Sequence, residues 1–352
     1  MSDQYNVVIY GVQGYVGQAL MALVINHPYL HLVGVHSRQA KTELYHNLPL
    51  LADHQVPVYD FDEIHQSCAI DIALLATPPD VSMEIVTRLI QQSINIIDLS
   101  GAFRLPADQF VEWYQMPYTG PDNMKASYGL SPWANSSKHQ VVANPGCYAT
   151  CALMSLIPLL KEHVILNDNL IIDAKSGVSG AGKHANPELM FCEISGNFFP
   201  YKVGKHQHTP EINQALYAFS GKKTNVLLTT QMLPLPHGIS MSIYANASPQ
   251  LTTDEAIAAA IQSAYQRAYQ HYPFVKYVDL AKNDIAKNQF ILSLKQIVGT
   301  ANTHIGYVVN QGKITLFACI DNLLKGAATQ AIENINALYQ FPIHTGLLKE
   351  AS

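Results

Sequence analysis

The sequence predicts an α/β fold class: a doubly wound parallel sheet first, then a mixed α+β domain. Three observations predict it. Short β-branched runs alternate with helical periodicity through residues 5–98, and a glycine-rich turn follows the first run. Beyond residue 150 that alternation gives way to hairpin-like strand pairs and long helices.

The runs at 7–10, 32–35, 70–76 and 94–99 are largely apolar, as suits strands buried on both faces of a parallel sheet. Helical periodicity at 15–26 and 81–92 separates them, and such β-α-β units wind right-handed. The second half predicts a helix at 149–160, strands at 170–174, 226–232 and 239–247, and a helix at 253–272. Strands at 305–309 and 314–319 follow, turning at Asn310-Gln311-Gly312. A last helix over 322–338 starts behind Asp321, a favourable N-cap, and is expected to return to the first domain. The expected domains are therefore 1–147, completed by the C-terminal segment 321–352, and 148–320.

Composition narrows the function. The 352 residues carry 21 Lys+Arg against 26 Asp+Glu, a net charge of −5, which excludes an electrostatic grip on nucleic acid. Hydrophobic residues make up 48%, enough for two buried cores. The longest nearly apolar stretch, 151–160, is far short of the roughly 20 residues that span a bilayer, and the N-terminus lacks a signal-peptide core. No membrane is involved on this reading, and the expected location is cytoplasmic. Five cysteines without C-x-x-C spacing form neither a disulfide framework nor a zinc knuckle. Asn135-Ser136-Ser137 fits a glycosylation acceptor by letters and reads as a surface turn.

Directly after the first strand comes Gly11-Val12-Gln13-Gly14-Tyr15-Val16-Gly17. Strand, glycine turn and helix in that order are a Rossmann-type dinucleotide site, in which glycines bring backbone amides up to a pyrophosphate. Gly11, Gly14, Tyr15 and Gly17 are assigned to it. The second strand ends in His36-Ser37-Arg38, with no acid for the ribose hydroxyls, so Ser37 and Arg38 are assigned to a 2′-phosphate and the cofactor to NADP(H).

Cys147 lies in Val141-Val142-Ala143-Asn144-Pro145-Gly146-Cys147-Tyr148, a strand and a Pro-Gly turn ahead of a helix. A thiol at a helix N-terminus is activated as thiolate, which makes Cys147 the candidate nucleophile; Cys68, Cys151, Cys192 and Cys319 read as packing residues. Its acid/base partner is His206 or His208, in Gly204-Lys205-His206-Gln207-His208-Thr209-Pro210-Glu211; the sequence does not choose between them. No third ligand cluster accompanies that H-x-H, so no metal is assigned.

Gly177 to Lys183 fits G-x-x-x-x-G-K, but His184 stands where a P-loop needs Ser or Thr for magnesium. Ser179 and Gly180 are instead assigned to a backbone approaching the nicotinamide or substrate. Asp98-Leu99-Ser100-Gly101-Ala102-Phe103-Arg104 leaves the fourth expected strand, where α/β proteins line ligand crevices. Arg104 reads equally as an anion ligand and as half of a surface ion pair.

These segments together resemble the N-acetyl-γ-glutamyl-phosphate reductase family of arginine biosynthesis, within the aspartate-semialdehyde-dehydrogenase-like group. The resemblance covers nearly the whole chain. It rests on Gly11 to Gly17, His27-Pro28, Asp98 to Leu105, Tyr128-Gly129-Leu130, Asn144 to Thr150, Lys175 to Lys183, His206 to Ile212 and Asp321 to Ala328. It implies NADPH-dependent reductive dephosphorylation of an acyl phosphate through a Cys147 thioester, with a histidine managing the proton. It further implies substrate or phosphate contacts at Ser100, Arg104 and Glu211, a cofactor contact at Asn322, a second domain that is both catalytic and dimerising, and a homo-oligomer.

The chain departs from the family pattern twice. Val12-Gln13 replaces the usual Ala-Ser of the first loop, and Thr77-Pro78-Pro79 replaces Leu-Pro-His after the third expected strand. Two other readings stand beside the first: a reductase of aspartyl or aminoadipyl phosphate, and a non-catalytic NADP-binding regulator.

Overall fold

The computed structural model describes residues 4–37, 40–122, 124–134, 140–282 and 285–347. Arg38 and the Asn135-Ser136-Ser137 triplet lie outside them. The chain forms two compact units: Met1–Pro145 with Ala327–Ser352, and Gly146–Gly326. The division falls just before Cys147 and six residues after Asp321, because the helix that Cys147 opens is built into the second unit. The helices used below are α1 (Tyr15–Ile25), α2 (Pro79–Leu89), α3 (Cys147–Lys161), α4 (His208–Ser220), α5 (Asp254–Tyr269) and α6 (Thr329–Leu338).

In the first unit, β1 (Tyr5–Tyr10), β2 (Leu30–His36), β3 (Val58–Tyr59), β4 (Ile72–Leu75), β5 (Asn95–Asp98), β6 (Ser127–Tyr128) and β7 (Val141–Ala143) form one sheet. Its order is β3-β2-β1-β4-β5-β7-β6, and every pairing is parallel. Successive residues of β1 feed opposite cores: Val7 and Ile9 pack with α1 and α6 residues such as Leu20, Ile332 and Ile335, while Val8 and Tyr10 pack with Met83, Val86 and Phe110. The expected doubly wound architecture is present. The strand order reverses between β1 and β4, so the loops after them flank the crevice where such sheets bind ligands.

The last helix begins later than its periodicity predicts. Residues 324–328 form a π-helical turn, and α6 follows from Thr329. Asp321 still caps the turn, its Oδ1 accepting from the amides of Leu323 and Leu324 at 2.8 and 3.0 Å.

In the second unit, β8 (Ile171–Gly177), β9 (Phe199–Pro200), β10 (Leu227–Leu233), β11 (Ile239–Asn246), β12 (Val275–Asp279), β13 (Thr303–Asn310) and β14 (Lys313–Ile320) form a mixed sheet. Its order is β12-β13-β14-β11-β8-β10-β9. The β13–β14 hairpin turns at Gln311 and Gly312, both at positive φ (49° and 72°), and the Asp254 carboxylate accepts from their two amides at 2.8 and 2.9 Å.

Helix α3 is apolar on all sides and buried from Tyr148 to Leu160 despite Pro158 in its interior. Proline has no amide for the carbonyl of Met154, four residues back. The Tyr269 hydroxyl donates to that carbonyl, so α5 supplies what the helix lacks there, and the Tyr265 hydroxyl donates to the neighbouring Ser155 carbonyl at 2.9 Å.

Candidate active site

In the first unit, Gly11 adopts φ +84°, and a Cβ there would lie 2.3 Å from the Ala76 carbonyl oxygen. A Cβ on Gly17 would lie 2.2 Å from the Gly11 carbonyl oxygen, so both glycines permit close backbone packing. Gly14 differs. It is the N-cap of α1, and a Cβ there would meet only the Gly11 carbonyl oxygen, at 3.6 Å. The α1 N-terminus therefore has room for a pyrophosphate at the positive end of the helix, with Tyr15 exposed as its first residue. Gln13 donates through Nε2 to the Ser37 hydroxyl at 3.1 Å and ties the loop to the end of β2, while Val12 is core. Thr77 packs near Gly11 and bonds Ser82 at 2.7 Å, and Pro78-Pro79 starts α2.

Ser100 and Arg104 lie at the carboxyl end of β5. The Ser100 amide donates to Asp98 Oδ1 at 3.0 Å, and burial raises the Asp98 carboxyl above its ordinary range. Arg104 is buried and donates through Nε to the Asn144 carbonyl at 2.7 Å and through Nη2 to the Leu99 carbonyl at 2.8 Å. These bonds brace the ends of β5 and β7. Asn144 itself, three residues before Cys147, accepts at Oδ1 from Asn334 Nδ2 at 2.9 Å and donates its amide to the Asp98 carbonyl at 2.8 Å. The sequence reading missed Asn334, because a buried asparagine on a helix carries no local signal.

In the second unit, Cys147 is the first residue of α3, half-buried, behind the extended N-cap Gly146. The amides of that first turn have no acceptor within the helix, and they favour a thiolate. Burial drives the Cys151 thiol well up and pushes Cys319 up to about 12.

His208 and Glu211 come from the first turn of α4. The Glu211 carboxylate is buried, accepts the Gly146 amide at 2.8 Å and places Oε2 3.9 Å from His208 Nε2. His208 Nε2 sits against Gly146: a Cβ there would be 2.2 Å from it. His206 is differently engaged. Its Nδ1 accepts the His208 amide at 3.1 Å, and burial, with the charges of His208 and Lys202, holds its ring down at about 2. The rings of Tyr148 and Tyr201 stand edge-on to it, with the Tyr201 hydroxyl donating to the Tyr148 hydroxyl at 2.9 Å. His206 is thus a neutral ring in an aromatic box.

Ser179, Gly180 and Asn322 also converge. Gly180 follows Ser179 in the 3-10 turn Val178–Ala181, and a Cβ on it would be 3.8 Å from Asn322 Nδ2. Asn322 Nδ2 donates to the Ser179 hydroxyl at 2.9 Å, its Oδ1 accepts the Gly238 amide at 2.7 Å, and the Ser179 hydroxyl bonds His237 Nδ1 at 3.0 Å. His237 has no motif around it and was missed. Among the described residues no three His, Cys, Asp or Glu side chains gather as a metal site requires, and no helix is long and apolar enough to cross a membrane.

Residues 6–141 match the family model described as semialdehyde dehydrogenase, NAD binding domain, and residues 147–322 match that of the semialdehyde dehydrogenase dimerisation domain. Fold and matches together define a semialdehyde-dehydrogenase-type oxidoreductase. Aspartate semialdehyde dehydrogenase from Francisella tularensis superposes with a TM-score of 0.69 at 17% identity, over 96% of this chain and 100% of that one. Aspartate semialdehyde dehydrogenase II from Vibrio cholerae, complexed with ASA, gives 0.67 at 16%, over 96% and 99%. Sequence relatives are nearer. The N-acetyl-gamma-glutamyl-phosphate reductase of Streptococcus gordonii is 36% identical over 98% of both chains, and that of Staphylococcus epidermidis 33% identical over 97% of this chain and 98% of its own. The chain belongs to the N-acetyl-γ-glutamyl-phosphate reductase family.

Proposed function

We propose that this protein reduces N-acetyl-L-glutamyl 5-phosphate with NADPH to N-acetyl-L-glutamate 5-semialdehyde and phosphate, a step of arginine biosynthesis, through a thioester on Cys147. The observation that carries the reading is the half-buried thiol at the first position of α3 with the His208 ring packed against the residue before it.

The chemistry follows from those groups. His208 takes the Cys147 proton, and the thiolate attacks the acyl carbon; the C–O bond to phosphate breaks, and the leaving phosphate takes the proton from His208. The first-turn amides of α3 stabilise the oxyanion of the tetrahedral species. When bound, the dinucleotide supplies a hydride, the two electrons that lower the thioester to the aldehyde level. The resulting thiohemiacetal oxyanion expels the Cys147 thiolate and releases the aldehyde; the thiolate regains a proton from solvent through His208. His206, held neutral with Nδ1 occupied, fixes the backbone of His208, and Glu211 holds the Gly146 amide.

The helix N-terminus and the open space at Gly14 fit a pyrophosphate, and Gly11, Gly14, Tyr15 and Gly17 would hold it. Ser37 and Arg38, with no acid beside them, favour the 2′-phosphate of NADPH over NADH. Ser100 and Arg104 are read as substrate-side residues, Arg104 through the loop it braces. A homo-oligomer is supported by the open face of the second sheet, where Ile171, Leu227, Tyr244 and Phe317 are exposed in adjacent strands.

The test follows absorbance in the reverse direction, with the semialdehyde and NADP, with and without inorganic phosphate, in wild type and Cys147→Ser. Phosphate-dependent NADPH formation that the variant lacks is expected. Activity only with aspartate semialdehyde or an aminoadipate analogue would move the substrate, and silence with all three would leave a binding protein.

A further inference from the structure

Ser179 and the two side chains bonded to its hydroxyl come from distant parts of the chain. Strands β8 and β10 are parallel, β11 is antiparallel to β8, and β14 is antiparallel to β11. The carboxyl ends of β8, β10 and β14 and the start of β11 therefore share one edge of the sheet. Ser179 follows β8, His237 lies between β10 and β11, and Asn322 follows β14. The contact is tight: Val178 and Ser179 donate their amides to the Leu235 and Pro236 carbonyls at 2.8 and 3.0 Å. A Cβ on Gly177 would lie 2.8 Å from the His237 nitrogen. The same exit from β14 carries Gly326, where a Cβ would lie 2.7 Å from that of Cys147.

The direction of the Asn322 bonds can be deduced. The Gly238 amide can only donate, so Asn322 presents Oδ1 to it and its Nδ2 to Ser179. Ser179 accepts that bond and keeps one hydroxyl proton to give, and His237 Nδ1 is its other side-chain partner. With the Ser179 proton in that bond, the His237 ring presents an N–H at Nε2. Ser179 and Asn322 are buried and His237 is half-buried, so the relay runs from the interior to a partly exposed imidazole.

We propose that His237 is a substrate-contacting residue whose Nε2–H donates to a phosphoryl oxygen of the acyl phosphate, and to inorganic phosphate in the reverse reaction. This rests on the reductase reading above. His237 acts here as the tautomer in which Ser179 donates to Nδ1; the β14 exit that supplies Asn322 also packs Gly326 on the nucleophile, so the part of the substrate nearest the relay is its reacting end.

The test measures the KM for inorganic phosphate in the reverse reaction for His237→Ala, His237→Asn and His237→Gln, with the KM for NADP and the melting temperature as controls. Asparagine can replace Nδ1 as acceptor without reaching as far as Nε2; glutamine can place an amide near Nε2. The Ala and Asn variants are expected to raise the phosphate KM at least about tenfold, the loss of one hydrogen bond to a charged group, with Gln within about threefold of wild type and the NADP KM unchanged. A phosphate KM for Ala within about twofold of wild type would overturn the proposal, and so would an Asn variant that works where Gln fails, since His237 would then merely anchor the loop. Should wild type show no phosphate-dependent turnover, the reductase reading falls rather than the contact alone.

Discussion

His208 Nε2 occupies the space that a side chain on Gly146 would need, 2.2 Å from the Cβ position. Gly146 has φ −71° and ψ 154°, values open to any residue, so a methyl there strains no backbone and acts only by pushing the imidazole away. Gly146→Ala is expected to fold and to lose about 100-fold in kcat, the lower end for removing an acid/base, while the KM for NADPH stays near wild type. A kcat within about threefold of wild type would show that His208 is not needed where it stands.

The His206 ring titrates near 6.5 when unfolded and at about 2 when folded. Below pH 6.5 the unfolded chain takes up a proton that the folded chain refuses, so stability falls as the pH drops from about 6.5 toward 2, by up to about 1.4 kcal/mol per pH unit. His206→Asn keeps an acceptor for the His208 amide without the titration. Urea midpoints between pH 6.5 and 4 are expected to fall less steeply in this variant; an identical slope would contradict the buried, neutral assignment.

Tyr269→Phe removes the donor to the Met154 carbonyl that Pro158 leaves without an amide. It is expected to cost about 1–3 kcal/mol, the range for a buried acceptor losing its partner. In a Pro158→Ala background the helix regains its own amide, so the same substitution should cost less. A double-mutant cycle by urea unfolding measures the difference, and additive losses would show that the tyrosine does not serve that carbonyl.

Arg38→Ala is expected to raise the KM for NADPH at least about tenfold and leave the much weaker use of NADH unchanged, because only the first carries a 2′-phosphate. Equal loss with both cofactors would remove the assignment.

The parallel sheet was legible because its buried strands are largely apolar, and Cys147 because Asn144-Pro145-Gly146 stops a strand and releases a helix on the next residue. The two-residue strands β3 and β6 were not, being too short to show any period. The π turn at 324–328 was also hidden, since helical spacing continues through it. Between His206 and His208 the sequence offered no choice: both flank the same helix start, and only burial and the bond at Nδ1 separate them. The Ser179 relay joins residues 58 and 143 positions apart, a separation beyond any local pattern.

The first unit is discontinuous, and this sets an order of assembly. Its sheet is translated first, yet Ala331, Ile332 and Ile335, which complete one of its cores, arrive only after the whole second unit. A nascent chain thus holds one face of its parallel sheet covered by α1 but not yet by α6 while roughly half the protein is made. The second unit, one unbroken stretch, can close without waiting for either end. Assembly of the nucleotide half is therefore the last event, and a chain lacking its final helix would carry a candidate nucleophile without a completed dinucleotide domain.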